Sequence, residues 1–280
     1  MNAPPDRYAV IGHPIEHSKS PAIHTAFARQ TGQHLTYERL PAEPDAFAAT
    51  VATFFADGGA GLNVTLPFKT EAAAYADRLT DRAQRAGAVN TLARRDDGTL
   101  LGDNTDGIGL ARDLERGLDT AIAGARILIL GAGGAVRGVV PVLLEQGAAE
   151  ICVANRTVAK AETIAHDFAD MGTVRACPLN TEEDGWDLVI NAISAGLGGE
   201  MPDLSPAIIA RARGAYDMLY ANVPTPFLRW VAAQGVARRC DGLGMLVEQA
   251  AESFALWRGV RPSTVEVIAA LRQSGDPRTP

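Results

Sequence analysis

The residues best placed to do chemistry are an unusual lysine, two carboxylates in a polar loop, and a cluster of glycines behind an apolar run. Only three of the 26 Lys and Arg residues are lysines, so Lys69, closing Asn63-Val-Thr-Leu-Pro-Phe-Lys69, stands out. Arginine keeps its proton, whereas a lysine held in a sheltered cleft can exchange one with an alcohol or ketone oxygen. A solvated surface lysine is the plain alternative. Asp103 and Asp106 flank Asn104-Thr105 ahead of an amphipathic segment. Either carboxylate can cap a helix there. The sharper reading sets Asp106 against Lys69, holding its charge and accepting a hydrogen bond from a substrate hydroxyl, although spacing alone does not bring the two together.

The glycines follow Arg126-Ile-Leu-Ile-Leu130 as Gly131-Ala132-Gly133-Gly134-Ala135. A strand running into glycines and then a helix is the context in which such a turn binds a dinucleotide. The glycines let backbone N–H groups approach a pyrophosphate, and the helix N-terminus adds partial positive charge. A simple tight turn is the competing explanation, and Val136 stands where a third glycine is usual. After the next apolar run, Ile151-Cys-Val-Ala154, the acid that would take ribose hydroxyls is missing, and Asn155-Arg156-Thr157 occupies its place. An arginine beside a hydroxyl offers charge and donors to a 2′-phosphate, which favours NADP over NAD. Lys160 adds charge one turn on, or is a surface lysine.

The elements that must position these groups follow from periodicity. Tyr8 to Ile11, Leu35 to Leu40 and Gly61 to Leu66 read as strands, with helices from Pro21 and Pro44, which predicts a parallel α/β layer. Ser20 before Pro21 suits a helix cap. Asp96-Asp97-Gly98 between two apolar runs predicts a hairpin. A helix from Ile108 toward Gly124 precedes a second β-α-β pattern from Arg126. Strands at Leu188 to Ile190 and Ala215 to Leu219, and helices at Ala159 to Ala169 and Pro226 to Gln234, continue it. Gly244 to Arg258 and a segment from Thr264 are amphipathic. The fold class is therefore α/β with two domains, the second of Rossmann type.

Composition narrows the class of partner. The chain has 280 residues and a net charge of -7, with no Lys/Arg run suited to a nucleic acid. The start lacks the order of a signal peptide, and Arg137 interrupts the longest apolar stretch, so neither export nor a membrane is expected and the cytoplasm is the default. Cys152, Cys177 and Cys240 are far apart, and read as ordinary half-buried thiols rather than disulfide or zinc ligands. Pro14 between His13 and His17 argues for a loop, so no metal is expected.

Seven motifs occur in order: HSKSP (His17 to Pro21), NVTLPFK (Asn63 to Lys69), AGAVNTL (Ala86 to Leu92), GDNTDG (Gly102 to Gly107), GAGGA (Gly131 to Ala135), NRT (Asn155 to Thr157) and DGLGMLVEQ (Asp241 to Gln249). Together, over essentially the whole chain, they resemble the shikimate dehydrogenase family. The resemblance implies NADPH-dependent, reversible reduction of 3-dehydroshikimate to shikimate in aromatic amino-acid biosynthesis. It implies that Lys69 and Asp106 are the catalytic pair, and that Ser18 and Ser20 bind the substrate carboxylate, with Thr65, Asn90, Tyr220 and Gln249 on hydroxyls or carboxylate. For the cofactor it implies Gly131, Ala132, Gly133, Gly134 and Ala135 at the pyrophosphate. Asn155, Arg156, Thr157 and Lys160 fall at the adenosine phosphate, Met218 and Gly242 near the nicotinamide, and Asp81 at a further position.

The resemblance also implies that the tail returns to the first domain, leaving a cleft that can close. A substrate domain then comprises residues 1–106 with 241–280, and an NADP-binding domain residues 107–240, in a monomer or homodimer. Three positions depart from the family pattern. Lys160 replaces the usual arginine, Ile193 replaces the threonine of Asn-Ala-Thr-Ser, and Asp81 is often glutamate. A broader quinate/shikimate dehydrogenase and a non-catalytic sensor on the same scaffold are the alternatives. Arg156 with Ser18 argues against the first, and Lys69 with Asp106 against the second.

Overall fold

The computed structural model describes residues 4–193 and 201–273. Ser194 and the segment Pro277 to Pro280 lie outside the described residues. Contacts divide the chain into two units, Met1–Asp106 with Gln249–Val267, and Gly107–Glu248 with the chain from Ile268. The tail expected to return as one piece from residue 241 is thus shared between them.

In the first unit, β1 (Asp6–Gly12), α1 (Ser20–Thr31), β2 (Leu35–Pro41), α2 (Phe47–Ala56) and β3 (Gly59–Val64) form the predicted alternation. They are followed by α3 (Lys69–Tyr75), β4 (Arg78–Leu79), α4 (Asp81–Ala86), β5 (Thr91–Arg94) and β6 (Leu100–Asp103). The sheet order is β2-β1-β3-β5-β6-β4. It is parallel across β2, β1 and β3, but β5 pairs antiparallel with both β3 and β6, so the layer is mixed. The β5–β6 pair is the hairpin read at Asp96 to Gly98, where Arg95 N–H bonds Thr99 O and Gly98 has φ 84°.

Alternation along β1 and β3 sends Ala9, Ile11, Leu62 and Val64 to one face, against Phe47, Val51, Phe54, Phe68 and Ala72 of the helical layer. On the other face Tyr8 meets Trp257, ring centroids 4.7 Å apart, and Phe27 of α1 meets Phe254. Gly61 makes room for that tryptophan, since a Cβ there would stand 2.5 Å from Trp257 Nε1.

The second unit is built from α5 (Asp106–Gly117), β7 (Arg126–Leu130), α6 (Gly134–Glu145), β8 (Glu150–Asn155), α7 (Val158–Asp167), β9 (Val174–Pro178), β10 (Leu188–Asn191), β11 (Gly214–Asp217), α8 (Pro226–Ala233) and β12 (Arg239–Asp241). Its six strands are all parallel, in the order β12-β11-β10-β7-β8-β9. Counted from β7, this is the 3-2-1-4-5-6 order of a Rossmann sheet. Ile127 and Ile129 face one core with Val136, Val139 and Leu143 of α6, while Leu128 and Leu130 face another with Phe227 and Val231 of α8. A strand buried on both faces reads as continuous apolar sequence, as Ile-Leu-Ile-Leu does. The last helices are α9 (Leu243–Arg258) and α10 (Val265–Gln273).

Several expected boundaries move. The second helix begins at Phe47, after a turn at Pro44 and Asp45, and α5 runs from Asp106 to Gly117 rather than from Ile108 toward Gly124. Ser20 is not a cap but the first residue of α1, and the hydroxyl that accepts a backbone N–H there is Ser18 Oγ, from Ser20 N at 3.3 Å. Cys240 is half-buried as expected, but Cys152 and Cys177, on neighbouring strands β8 and β9, are buried. No described helix is long and apolar enough to cross a membrane.

Candidate active site and dinucleotide site

In the first unit, β3 ends at Val64 and the chain turns through Thr65 to Phe68 before α3 opens on Lys69. Gly12 permits this turn to cross β1, since a Cβ there would approach Thr65 Cγ2 to 2.5 Å and Leu66 O to 3.2 Å. Val89 N–H donates to Lys69 O, tying the start of α3 to the loop before β5. From β6 the loop Asn104-Thr105 brings Asp106 to the same place, and Lys69 Nζ lies 2.5 Å from Asp106 Oδ2. Both side chains are sheltered, 13% and 6% exposed, so their ion pair is screened little by solvent.

The second oxygen of that carboxylate is also held. Asn90 Nδ2 donates to Asp106 Oδ1 at 2.8 Å and faces Gln249 Oε1 at 3.3 Å. Thr105 N–H donates to Asn90 Oδ1 at 2.9 Å, which fixes which way the Asn90 amide points. The loop itself is pinned by Asp103, fully buried, which accepts from Thr80 Oγ1 and pairs with Arg82 of α4. Asn104 Oδ1 takes the N–H of Asp106 at 3.1 Å, so a neutral amide does the local turn-making and Asp106 is left to face Lys69. At the start of α1, Arg39 of β2 clamps the Ser18 carbonyl through Nε at 3.1 Å and Nη2 at 2.6 Å.

Lys69, Asp106, Asn90 and Gln249 therefore form one contiguous cluster. Ser18 and Ser20 lie together in the turn into α1, Thr65 sits in the β3–α3 turn, and Asp81 is exposed at the first position of α4. Arg39, Arg82 and Thr105 are positioning residues that the sequence reading did not single out. Thr105 belongs to the quoted GDNTDG motif, while Arg39, in a predicted strand, and Arg82, beside Asp81, carried no signal of their own. Among the described residues no group of three His, Cys, Asp or Glu side chains could hold a metal ion.

In the second unit the β7–α6 turn carries Gly131, with φ 107° and an N–H donated to Ala154 O, and Gly133, whose Cβ position opens onto empty space. Helix α6 starts at Gly134, so its free N–H groups point at that opening. Val136 is buried in the core beneath the turn, where the missing third glycine would have left a gap. Past the end of β8, Asn155 Nδ2 donates to Thr157 O, and Arg156, Thr157 and Lys160 are all exposed. Among the described residues no carboxylate pairs with Arg156 or Lys160. An open glycine turn at a helix N-terminus with an unneutralised basic edge fits a phosphorylated dinucleotide.

The segment after β11 is organised by Asp217, which accepts from Asn191 Nδ2 at 2.9 Å, Leu219 N at 3.1 Å and Thr225 Oγ1 at 2.5 Å. Burial pushes its carboxyl above the ordinary range, against the pull of these three donors. Met218 N donates to Asn191 O, and Gly242 packs backbone to backbone on Met218. Tyr220 follows two residues later on the same segment.

Comparison with known families agrees with this architecture. Residues 10–92 match the model of the shikimate dehydrogenase substrate binding domain, 113–197 that of shikimate / quinate 5-dehydrogenase, and 242–272 that of the shikimate 5'-dehydrogenase C-terminal domain. A shikimate dehydrogenase (NADP(+)) from Thioalkalivibrio sulfidiphilus is 58% identical over 268 residues, 95% of this chain and 98% of that protein. The chain belongs to the shikimate dehydrogenase family. Another member, shikimate dehydrogenase (NADP(+)) from Alkalilimnicola ehrlichii, is 55% identical over 267 residues, again 95% and 98% of the two chains. Among solved structures, shikimate 5-dehydrogenase from Thermus thermophilus in complex with NADP(H) and shikimate is 34% identical, with a TM-score of 0.85 over 96% of this chain and 99% of that one.

Proposed function

We propose that this chain is an NADP-dependent shikimate dehydrogenase that reversibly reduces the ring ketone of 3-dehydroshikimate to shikimate, in the cytoplasm, as a step of aromatic amino-acid biosynthesis. The observation that carries the reading is the sheltered Lys69–Asp106 pair, in a chain that matches its curated relatives end to end. A ketone becoming an alcohol needs a hydride at carbon and a proton at oxygen. NADPH, when bound, supplies the hydride. Lys69 Nζ supplies the proton to the developing alkoxide, and Asp106 holds the ammonium in place and accepts a hydrogen bond from the substrate hydroxyl. Positioned proton transfer of this kind contributes roughly 10²–10⁴-fold in rate.

The remaining cluster binds and orients. Ser18 and Ser20, at the turn into α1, take the substrate carboxylate, and Thr65, Asn90 and Gln249 take hydroxyls. A site furnished with this many polar partners rejects analogues that leave them unpaired. Residues 1–106 with the returning part of the tail form the substrate domain, and the Rossmann unit is the cofactor domain. The Gly131 to Ala135 turn holds the pyrophosphate by the backbone N–H groups that follow Gly131, whose own N–H is given to Ala154 O, while Asn155, Arg156, Thr157 and Lys160 hold the 2′-phosphate.

The test is nicotinamide absorbance on mixing the protein with shikimate or quinate, each with NADP or NAD, beside Lys69→Ala. Fast NADP reduction with shikimate alone, lost in the variant, is expected. Comparable rates with quinate or NAD would replace the reading with a broader dehydrogenase. Cofactor binding without turnover of either acid would replace it with a sensor.

A further inference from the structure

Behind the Lys69–Asp106 pair of the first unit lies a row of polar side chains, partly buried at its Tyr37 end and buried from Asn63 to Asn90. Tyr37 OH donates to Asn63 Oδ1 at 2.7 Å, which turns Asn63 Nδ2 toward Ser253 Oγ at 2.9 Å. Ser253 Oγ lies 2.7 Å from Thr91 Oγ1, and Thr91 Oγ1 lies 2.9 Å from Asn90 Oδ1. Asn90 Nδ2 then donates to Asp106 Oδ1. Ser253 and Thr91 are wholly buried and Asn90 nearly so.

Each hydroxyl has one proton, which sets the direction of the row. Asn90 Oδ1 is acceptor only, so Thr91 donates to it. Ser253 Oγ accepts from Asn63, and its one proton has two acceptors within reach, Thr91 Oγ1 at 2.7 Å and the Gln249 carbonyl at 3.1 Å, of which Thr91 is the nearer. With the Ser253 proton on the shorter of its two contacts, the links run one way from the Tyr37 phenol to the Asp106 carboxylate, and bonds aligned head to tail in a buried row polarise one another.

The geometry points to Ser253 and Thr91 as positioning residues for the catalytic pair. Together with the Thr105 N–H, which bonds the same Asn90 Oδ1, they hold the Asn90 amide so that its N–H keeps Asp106 Oδ1, leaving Oδ2 to Lys69. Neither touches Lys69 or Asp106, and their effect passes through Asn90. The kinetic consequence rests on the dehydrogenase reading above; the structural one does not.

The test uses Thr91→Val and Ser253→Ala, with Thr91→Ser as the conservative control that keeps the hydroxyl. With only three lysines in the chain, the Lys69 Nζ signal is assigned in a ¹⁵N spectrum by one Lys69→Arg variant. In the wild type slow exchange of its protons is expected, because the pair is sheltered. The expected result is fast exchange at Lys69 in Thr91→Val and Ser253→Ala, with kcat for shikimate down roughly tenfold and KM within about twofold, and recovery of both in Thr91→Ser. Unchanged Lys69 exchange in both variants would overturn the proposal. So would a lowered kcat in Thr91→Ser equal to that in Thr91→Val. Failure of the wild type to turn over shikimate would strike the dehydrogenase reading alone, because the exchange measurement needs no substrate. Thermal melting of each variant shows whether lost exchange protection is local or comes from global opening.

Discussion

Asp106 gives one carboxylate oxygen to Lys69 and the other to Asn90, so the sheltered ion pair is held from behind by a neutral amide. A second cation there would compete for the carboxylate, whereas an amide orients it and leaves its charge to the lysine. Lys69→Ala is therefore expected to lower kcat by roughly 10²–10⁴ while leaving the melting temperature within a few degrees. Lys69→Arg is expected to be nearly as inactive, because it restores the charge but releases no proton. Initial rates of NADP reduction with shikimate, beside thermal melts, check both. An active Lys69→Arg would mean that the charge alone suffices.

Arg156 is expected to set the choice of cofactor. A hydrogen bond to a charged group is worth about 1.5–3 kcal/mol, so Arg156→Gln should raise KM for NADP roughly 10- to 100-fold and leave KM for NAD nearly unchanged. Lys160→Ala, removing an unpaired point charge one turn away, should cost only a few-fold. Equal weakening of NADP and NAD by Arg156→Gln would show that the arginine serves the fold or the shared part of the cofactor.

The Rossmann unit was legible because its strands are buried on both faces, and a doubly buried strand leaves an unbroken apolar run such as Ile127 to Leu130 in front of its glycines. The same legibility failed for α3, β4 and α4. They are short, of seven, two and six residues, and are fixed by tertiary contacts such as Arg82 to Asp103 rather than by their own periodicity. In the site, Lys69 was conspicuous by its residue type. Asn63, Thr91 and Ser253 were not, because buried amides and hydroxyls look in sequence like ordinary surface residues until the fold supplies partners, here one on α9, 190 positions from Asn63. The misplaced cap at Ser20 has a similar cause, since HSKS offers two serines and only geometry shows that Ser18 takes the N–H.

Two glycines should respond oppositely to the same added methyl. At Gly242 a Cβ would stand 2.7 Å from the Met218 carbonyl carbon and 3.1 Å from its Cα, both backbone atoms that cannot swing aside. Gly242→Ala is expected to lower the melting temperature and kcat together. At Gly133 a Cβ meets nothing within 4 Å, and φ is -88°. Gly133→Ala should melt like the wild type and show its effect only as weaker NADP binding, measured by fluorescence titration. Destabilisation by Gly133→Ala would sink this division of roles.

Asp217 is expected to act through its donors rather than its charge. Asp217→Asn keeps an oxygen for Asn191 and Leu219, and Thr225 Oγ1 can accept from the new amide, so kcat should stay within about threefold. Asp217→Ala leaves the Leu219 N–H and the Asn191 amide without partners and frees the segment bearing Met218 and Tyr220. It should cost at least about tenfold in kcat/KM, with about 1–3 kcal/mol lost in urea unfolding. An Asp217→Asn enzyme as impaired as Asp217→Ala would show that the negative charge itself is needed.

His24 should make the fold sensitive to acid. It is buried, stacked on Tyr37 with ring centroids 4.2 Å apart and planes within 4°, and neither ring nitrogen has a hydrogen-bond partner. Burial lowers its pKa from 6.5 to about 3. Above pH 6.5 the ring is neutral in folded and unfolded chains alike and pH has no leverage. Between 6.5 and 3 the unfolded chain binds a proton that the folded chain refuses, so stability falls as pH falls, by about 1.4 kcal/mol per unit at most. At pH 5 this loss is about 2 kcal/mol relative to pH 7. His24→Phe keeps an aromatic ring on Tyr37 and carries no titrating group, so its loss of stability between pH 7 and pH 5 should be smaller than the wild type's by about that amount. Urea unfolding of both proteins at the two pH values makes the comparison, and the carboxylates common to both cancel in the difference. Equal losses would mean that His24 takes up its proton inside the folded protein, where the neighbouring Asn63 side chain, which pulls its pKa upward against burial, would have to accept from it.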